Sequence, residues 1–372
     1  MRILNVVGTR PNFIKMAPLL REQRKHKAIE SLLVHTGQHY DHKMSETFME
    51  DLGVKKPDWN FKMGSLSPAL QVGSIIIEME KVIQESHPDI VLVVGDVNST
   101  LAASIAAKKC GILVAHIEAG LRSRDREMPE ELNRIATDAI SDLLFATSHF
   151  AVENLLREAI PSDSIFLVGN VMIDSLRYEQ SRASSLNTVE LLGFKKRGYA
   201  LVTLHRPSNV DHKESLEGYL RAFQRLSETI PIVFPIHPRT RANIQKFELE
   251  HYFHFSSSNN NSKIRGIDPL GYSASLNLMM NAKFVVTDSG GIQEETTALN
   301  IPCLTARQGT ERPETVVYGT NQIIGTEPEA IWGAAQKILN NDPKQGGLPE
   351  LWDGEAADRI TKILLERVTS AI

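Results

Sequence analysis

The sequence predicts an α/β protein made of two Rossmann-like domains with parallel sheets, and three observations carry that prediction. Short apolar runs alternate with helical patterns from one end of the chain to the other. The runs are continuous rather than alternating, which requires both faces of a sheet to be covered, as in a parallel doubly wound arrangement. A chain of 372 residues is also too long for one ordinary core and suggests about two domains.

In the first series the strand candidates are Ile3 to Val7, Ser31 to Val34, Ile90 to Val94, Leu113 to Ile117, Leu143 to Ala146 and Ile165 to Val168. Helical apolar spacing falls on Phe13 to Gln23, Met44 to Leu52, Val72 to Glu85, Thr100 to Lys109, Glu131 to Ile140 and Phe150 to Glu158. Gly169-Asn170-Val171 closes this series. The second has strand candidates at Ala200 to Leu204, Ile232 to Phe234, Lys263 to Ile267, Phe284 to Thr287 and Pro302 to Thr305. Its helical patterns are Leu216 to Glu228, Ser275 to Asn281, Gln293 to Leu299 and Ala330 to Leu339. The expected domains are 1–170 and 171–352, with a cleft between them. A C-terminal helix over about 353–372, apolar at Ala357, Ile360, Ile363, Leu364 and Val368, is expected to pack back on the first. Ser256 to Ser262 reads as a solvated loop and Asn341 to Pro349 as a linker.

Composition narrows the function classes. The chain is 42% hydrophobic and 23% charged, as soluble globular proteins are. No apolar run approaches the roughly 20 residues of a membrane helix, so no membrane partner is expected. The net charge of -4 argues against nucleic acid as a partner. Cys110 and Cys303, far apart and in apolar contexts, offer neither a disulfide framework nor metal spacing, which fits a reducing cytoplasm.

Open parallel sheets bind ligands beyond the carboxyl ends of their strands, so polar residues directly after apolar runs are the site candidates. One stretch stands out, Phe284 to Glu295. An apolar run breaks at Thr287-Asp288-Ser289 into Gly290-Gly291, and a helical run follows. Adjacent glycines admit a close ligand, and the free N–H groups of a helix start attract anions. Gly291 and Glu295 share a helix face, which puts a carboxylate one turn behind the cradle, in reach of ribose hydroxyls. This reads as a nucleotide-diphosphate clamp.

Other strand tips are Gly8-Thr9-Arg10-Pro11, His35-Thr36-Gly37-Gln38-His39, Gly95-Asp96, Glu118-Ala119-Gly120, His205-Arg206 and His237-Pro238-Arg239. The first has a single glycine, so it is no dinucleotide fingerprint, and hydride chemistry has no support. Arg10 and Lys15 either neutralise a diphosphate or form a solvated basic face. Asp96 and Glu118 either converge as a proton-handling pair, one pKa pushed up by the other, or cap the helices that follow. Pro129-Glu130-Glu131 is ordinary helix-start chemistry by spacing alone. His205 either donates to a substrate oxygen or is a satisfied structural histidine. Arg312, before Pro313, is a phosphate-ligand candidate or a surface residue.

Taken together and in order, these motifs, with Glu118-Ala119-Gly120-Leu121-Arg122 and Thr310-Glu311-Arg312-Pro313-Glu314, resemble the non-hydrolysing UDP-N-acetylglucosamine 2-epimerases over nearly the whole chain. The resemblance implies a glycosyltransferase-B-type architecture with the active site in the interdomain cleft. It implies that Arg10, Lys15, His237, Ser289, Gly290, Gly291 and Arg312 surround the diphosphate and sugar. Glu295 would hold the ribose, and the Pro269-Leu270-Gly271-Tyr272 backbone would lie near uracil. Asp96, Glu118, Glu130 and His205 would form the catalytic group, with Asp96, Glu118 and His205 also touching substrate. The implied reaction is reversible C2 epimerisation of UDP-N-acetylglucosamine to UDP-N-acetylmannosamine by elimination and re-addition of UDP, through 2-acetamidoglucal. No metal and no cofactor are implied; a UDP-sugar substrate, a homodimer and a supply role in surface-polysaccharide synthesis are.

Three segments depart from the common bacterial pattern. The loop Ser123 to Met128 is short, as in archaeal members and in the branch acting on UDP-2,3-diacetamido uronic acids, which makes that branch the alternative enzyme reading. Tyr40-Asp41 follows His39 where members activated by a second substrate molecule carry Arg-Glu, and Ser275 stands where an aromatic often lies near uracil. A glycosyltransferase-B-type sugar transferase would share the cleft and the glycines but would leave C2 untouched.

Overall fold

The computed structural model describes residues 1–37, 49, 52–64, 66–254 and 264–369. The chain folds as two compact units, Met1–Arg177 with Glu350–Ile372, and Tyr178–Pro349. Where the sequence suggested breaks at 170/171 and 352/353, the units divide inside the helix Val171–Ser184 and at 349/350.

In the first unit seven parallel strands form one sheet: β1 (Arg2–Val7), β2 (Glu30–His35), β3 (Trp59–Asn60), β4 (Ile90–Val94), β5 (Leu113–Ala119), β6 (Leu143–Ala146) and β7 (Ile165–Leu167). Their order is β3-β2-β1-β4-β5-β6-β7, so β1, β4 and β5 are central neighbours. Leu4, Val6, Val91 and Val93 pack on Ile75, Met79, Val82 and the alanine face of the helix Asn98–Lys109. The C-terminal helix Ala356–Thr369 packs on the helix Arg10–Gln23 with Ile360, Leu364 and Val368 buried. Asp174 caps its first turn, accepting from the backbone N–H of Ala356 at 3.2 Å and Ala357 at 2.8 Å.

The second unit repeats the plan with β8 (Ala200–Thr203), β9 (Ile232–Pro235), β10 (Phe253–His254), β11 (Ile264–Ile267), β12 (Phe284–Thr287), β13 (Cys303–Thr305) and β14 (Asn321–Ile323), ordered β10-β11-β9-β8-β12-β13-β14. Ala200 and Val202 join Phe284 and Val286 in one apolar cluster. Leu201 and Val285 join Tyr199, Leu278 and Met279 in another. Successive side chains of a strand point to opposite faces, so each uninterrupted run feeds two cores.

Three differences from the sequence reading have local causes. The edge strands β3, β10 and β14 were not expected; at two or three residues each they are too short to show a period. Helices begin earlier than their apolar spacing suggests, at Arg10, Pro68, Asn98 and Gly290, because their first turns are polar. The stretch Asn341 to Pro349 lacks regular structure, yet Lys344 Nζ donates to the carbonyls of Asn321, at 2.9 Å, and Val316. Of the expected helix Met44 to Leu52 only Met49 and Leu52 are among the described residues; the loop Ser256 to Ser262 lies outside them, as do Gln38, His39, Tyr40, Asp41 and Lys263.

Candidate active site

In the first unit the site candidates follow β1 and β4 or, for Glu118, lie near the end of β5. Gly8 sits where a Cβ would lie 2.1 Å from Ser99 Oγ, so only glycine lets the chain pass the helix Asn98–Lys109. Asn12 Oδ1 then accepts from the backbone N–H groups of Gly8 (3.2 Å) and Thr9 (3.0 Å), while its Nδ2 donates to Val94 O at 3.0 Å. That buried amide ties the β1 turn to the end of β4 and sets the helix that carries Arg10 at its first position and Lys15 one turn later.

Lys15 Nζ forms an ion pair and hydrogen bond with Glu118 Oε2, the two side chains only 9% and 1% exposed. Glu118 sits at a register shift in the β5–β6 pairing with φ of +68°, a left-handed backbone that costs a non-glycine residue energy. Its other oxygen, Oε1, is buried and meets no hydrogen-bond partner among the described residues. A carboxylate with one oxygen on a cation and the other unengaged in a dry setting is equipped to accept a proton.

Asp96 is held differently. Arg134 reaches its carboxylate and also donates to Glu131 Oε2, from Nε at 3.1 Å and Nη2 at 2.9 Å. Glu131 in turn accepts from the backbone N–H of Ser123 (2.9 Å) and Arg124 (2.8 Å), pinning the loop before the helix Pro129–Ile140. Burial alone would raise the Glu131 pKa; those two N–H donors and Arg134 outweigh it and hold the carboxyl below its ordinary range. Glu130, its neighbour, is exposed at the second position of that helix. Each of Asp96 and Glu118 therefore has a cation of its own, Arg134 and Lys15. Below them a wholly buried His116 bridges Asp138 Oδ1 (2.6 Å) and Gly95 O (2.9 Å), fixing the turn that presents Asp96. His35 is a packing residue: its ring meets Phe13 edge-on at 5.0 Å, and burial pushes its pKa down to about 4.

In the second unit five adjacent strands, β11, β9, β8, β12 and β13, are followed by Leu270, His237, His205, Ser289 and Arg312 respectively. The helix Gly290–Ala298 starts with the two glycines, neither at positive φ. The reason for Gly290 is space: a Cβ there would lie 2.4 Å from Arg312 Nη1 and 2.9 Å from Glu311 Oε1. Arg312 is thus pressed against the helix start, where it pairs with Glu294 Oε1 at 2.7 Å and with Glu311. Glu311 also takes Arg307 at 2.7 Å. Burial would raise its pKa, but Arg312 and Arg307 hold it well below the usual carboxylate range. One turn along, Glu295 accepts from Tyr272 Oη at 2.8 Å; burial pushes its pKa up to about 7 against that hydrogen bond.

Directly after β12, Asp288 is fully buried and reaches the neighbouring tip of β8, accepting from the backbone N–H of Arg206 (2.8 Å), that of His205 (3.0 Å) and Asn209 Nδ2 (3.0 Å). His205 Nδ1 lies 2.9 Å from Asp288 Oδ1, and the His205 side chain is 38% exposed. The His237 ring lies 5.3 Å from that of His205, and His237 Nδ1 caps the next helix by accepting from Arg239 N at 3.2 Å.

Two sets of groups result. The first unit assembles Lys15, Glu118 and Asp96 beside the β1 turn; the second assembles His205, Ser289, Gly290, Arg312 and Glu295 around a helix start, whose free N–H groups attract anions. Asn12, Arg134, Tyr272, Asp288, Glu294 and Glu311 hold these sets together; the last four lie inside motifs singled out in the sequence, whereas only position beside such motifs could have pointed to Asn12 and Arg134. Among the described residues there is no group of three or more His, Cys, Asp or Glu placed to hold a metal ion. No helix among them is long and apolar enough to cross a membrane.

The family model for UDP-N-acetylglucosamine 2-epimerase matches residues 21–365. A UDP-N-acetylglucosamine 2-epimerase of Methanococcus maripaludis is 42% identical over 343 residues, 91% of each chain. A UDP-2,3-diacetamido-2,3-dideoxy-D-glucuronate 2-epimerase of Pseudomonas aeruginosa is 37% identical over 369 residues, 98% of this chain and 99% of that one. Among solved structures, the Methanocaldococcus jannaschii UDP-GlcNAc 2-epimerase in complex with UDP-GlcNAc and UDP is similar at 40% identity and a TM-score of 0.89, covering 98% of this chain and 100% of that one.

Proposed function

The chain belongs to the UDP-N-acetylglucosamine 2-epimerase family, and we propose that it interconverts UDP-N-acetylglucosamine and UDP-N-acetylmannosamine by eliminating and re-adding UDP through 2-acetamidoglucal. The observation that carries the chemistry is Glu118, with Lys15 on one oxygen and the other buried without a partner among the described residues. The higher identity of the N-acetylglucosamine relative, 42% against 37% for the uronate enzyme, supports the choice of sugar.

The C2 proton is not acidic, so it leaves only as the C1–O bond to UDP breaks. Arg312, Ser289, His237 and the N–H groups of Gly290 and Gly291 would receive the charge that develops on the departing pyrophosphate, with Arg10 and Lys15 adding cations. Glu295 would hold the ribose, and the Leu270 backbone the uracil. Asp96, Glu118, Glu130 and His205 would handle protons, one group taking the C2 proton and another returning one to the opposite face. UDP then adds back to C1, so atoms and charge balance with no redox change.

The test is incubation with UDP-N-acetylglucosamine in heavy water, read at C2 by NMR. Deuterium at C2 together with the manno product is expected; transfer of the sugar to an added acceptor with C2 untouched would overturn the reading. Further parts of the proposal are a homodimer, a cytoplasmic location and a role supplying surface-polysaccharide synthesis. Light scattering checks the first of these: a mass near twice 41.5 kDa is expected, and one near 41.5 kDa would contradict it.

A further inference from the structure

We propose that Asp288 is the positioning residue for His205: its buried carboxylate holds the imidazole with the proton on Nδ1, so that Nε2 is the nitrogen presented to the sugar nucleotide. The inference rests on the proposed reaction for its catalytic consequence, but its structural half stands alone. Three donors besides the imidazole fix the Asp288 carboxylate: the N–H groups of His205 and Arg206, and Asn209 Nδ2 at 3.0 Å. Asn209 is itself buried and also donates to Ala306 O at 3.1 Å, so the carboxylate cannot swing away from the β8 tip. Burial would raise the Asp288 pKa, yet His205 and the backbone donors hold it below its ordinary value, so it is an anion and can only accept. An acceptor 2.9 Å from Nδ1 requires that nitrogen to carry the proton.

The surroundings reinforce this. Arg206 Nε donates to the Asp288 carbonyl at 3.3 Å, and its guanidinium lies 3.8 Å from Glu311. The His237 ring flanks His205, and burial, followed by the Asp288 charge, keeps the Tyr219 hydroxyl protonated. None of these removes the anion from behind the imidazole. When Nε2 takes or gives a proton, or donates to an oxygen that gains charge, the buried anion stabilises the imidazolium form. The role is comparable to that of a carboxylate behind a metal-bound or catalytic histidine, setting tautomer and direction together.

The experiment uses the full chain labelled with nitrogen-15 in histidine, with His205→Gln identifying the His205 signals among the 12 histidines. The expected wild-type spectrum has a protonated Nδ1 and, in the neutral ring, a bare Nε2; the reverse tautomer would overturn the proposal without any Asp288 variant. In Asp288→Asn the amide can donate to Nδ1 and favour the other tautomer. Its kcat should fall about 10²- to 10⁴-fold, while KM and UDP affinity stay within about threefold. A variant keeping kcat within about tenfold of wild type would overturn the catalytic role. Should Asp288→Asn not fold, the wild-type spectrum alone decides. Failure of the proposed reaction has its own signature: wild-type protein with the expected tautomer but no deuterium at C2. That result would overturn the reaction and this role for Asp288 together.

Discussion

The two units place charge at strand tips in opposite ways. In the second, the groups at the helix start and the His205 turn are over-determined: Arg312 has Glu294 and Glu311, Glu311 has Arg307 as well, and Asp288 has four donors counting the His205 ring. In the first, Glu118 has a single cation, a left-handed backbone and an oxygen without a hydrogen-bond partner among the described residues. Groups fixed from several sides suit binding, because they lose nothing on receiving a ligand. A group left short of partners suits chemistry, because its proton affinity can change as the substrate changes. The contrast separates a cradle built to hold, with His205 its one proton-handling member, from a first-unit carboxylate built to react.

The sharpest way to break that contrast is Glu118→Gln. We predict that C2 exchange falls by about 10³-fold or more, while UDP binds with unchanged affinity by calorimetry. Loss of UDP binding in that variant would move Glu118 into the holding set. Arg312→Ala should do the reverse. Removing one partner of a buried ion pair costs about 3–5 kcal/mol, because Glu294 loses the Arg312 cation and Glu311 one of the three arginines around it. A lowered urea midpoint and strongly weakened UDP binding are expected, and a variant equal to wild type in both would remove Arg312 from the cradle.

Gly290→Ala sharpens the same point with a smaller effect. The added methyl displaces Arg312 and Glu311, an overpacking that costs about 1–3 kcal/mol. UDP affinity should fall by about tenfold, as 1.4 kcal/mol implies, and unchanged affinity would show that the glycine serves only the backbone.

The smallest effect is a pH dependence at Glu295, whose pKa of about 7 lies above its ordinary value because of burial. A raised carboxyl pKa adds stability below its unfolded value near 4.5 that is lost as pH rises through about 7. Ribose hydroxyls donate best to the ionised form, so UDP affinity should instead rise between pH 6 and 8 and then level. Glu295→Gln should flatten both trends, stabilising the free protein at pH 8 while weakening UDP. A pH-independent affinity in wild type would place the ribose elsewhere.

Much of this was legible in the sequence because strand tips are marked by a change from apolar to polar residues, a signal independent of tertiary detail. That rule reaches Asp96, Glu118, His205, His237 and Ser289 directly. It cannot reach Asn12, Arg134 or Tyr272, which act from inside helices, where polar residues look like solvated faces. Nor could it show why Gly290 is glycine, since the crowding side chain comes from Arg312, 22 positions later in the numbering. Spacing suggests a like-charge pair for Asp96 and Glu118 because adjacent strands bring their tips together; the separate cations Arg134 and Lys15 are tertiary partners that spacing does not reveal. The helix Pro238–Lys246 was missed for a similar reason, having only Thr240 and Ile244 buried.

The central claim, that the C2–H and C1–O bonds break in one event, is tested most directly by isotope positions in the substrate. UDP-N-acetylglucosamine carrying oxygen-18 in the bridge between C1 and the β-phosphorus is incubated with the protein in heavy water. Cleavage of the C1–O bond frees that oxygen to rotate, so the label should move to non-bridging positions at a rate matching deuterium entry at C2. Deuterium at C2 with the oxygen label still wholly in the bridge would contradict elimination.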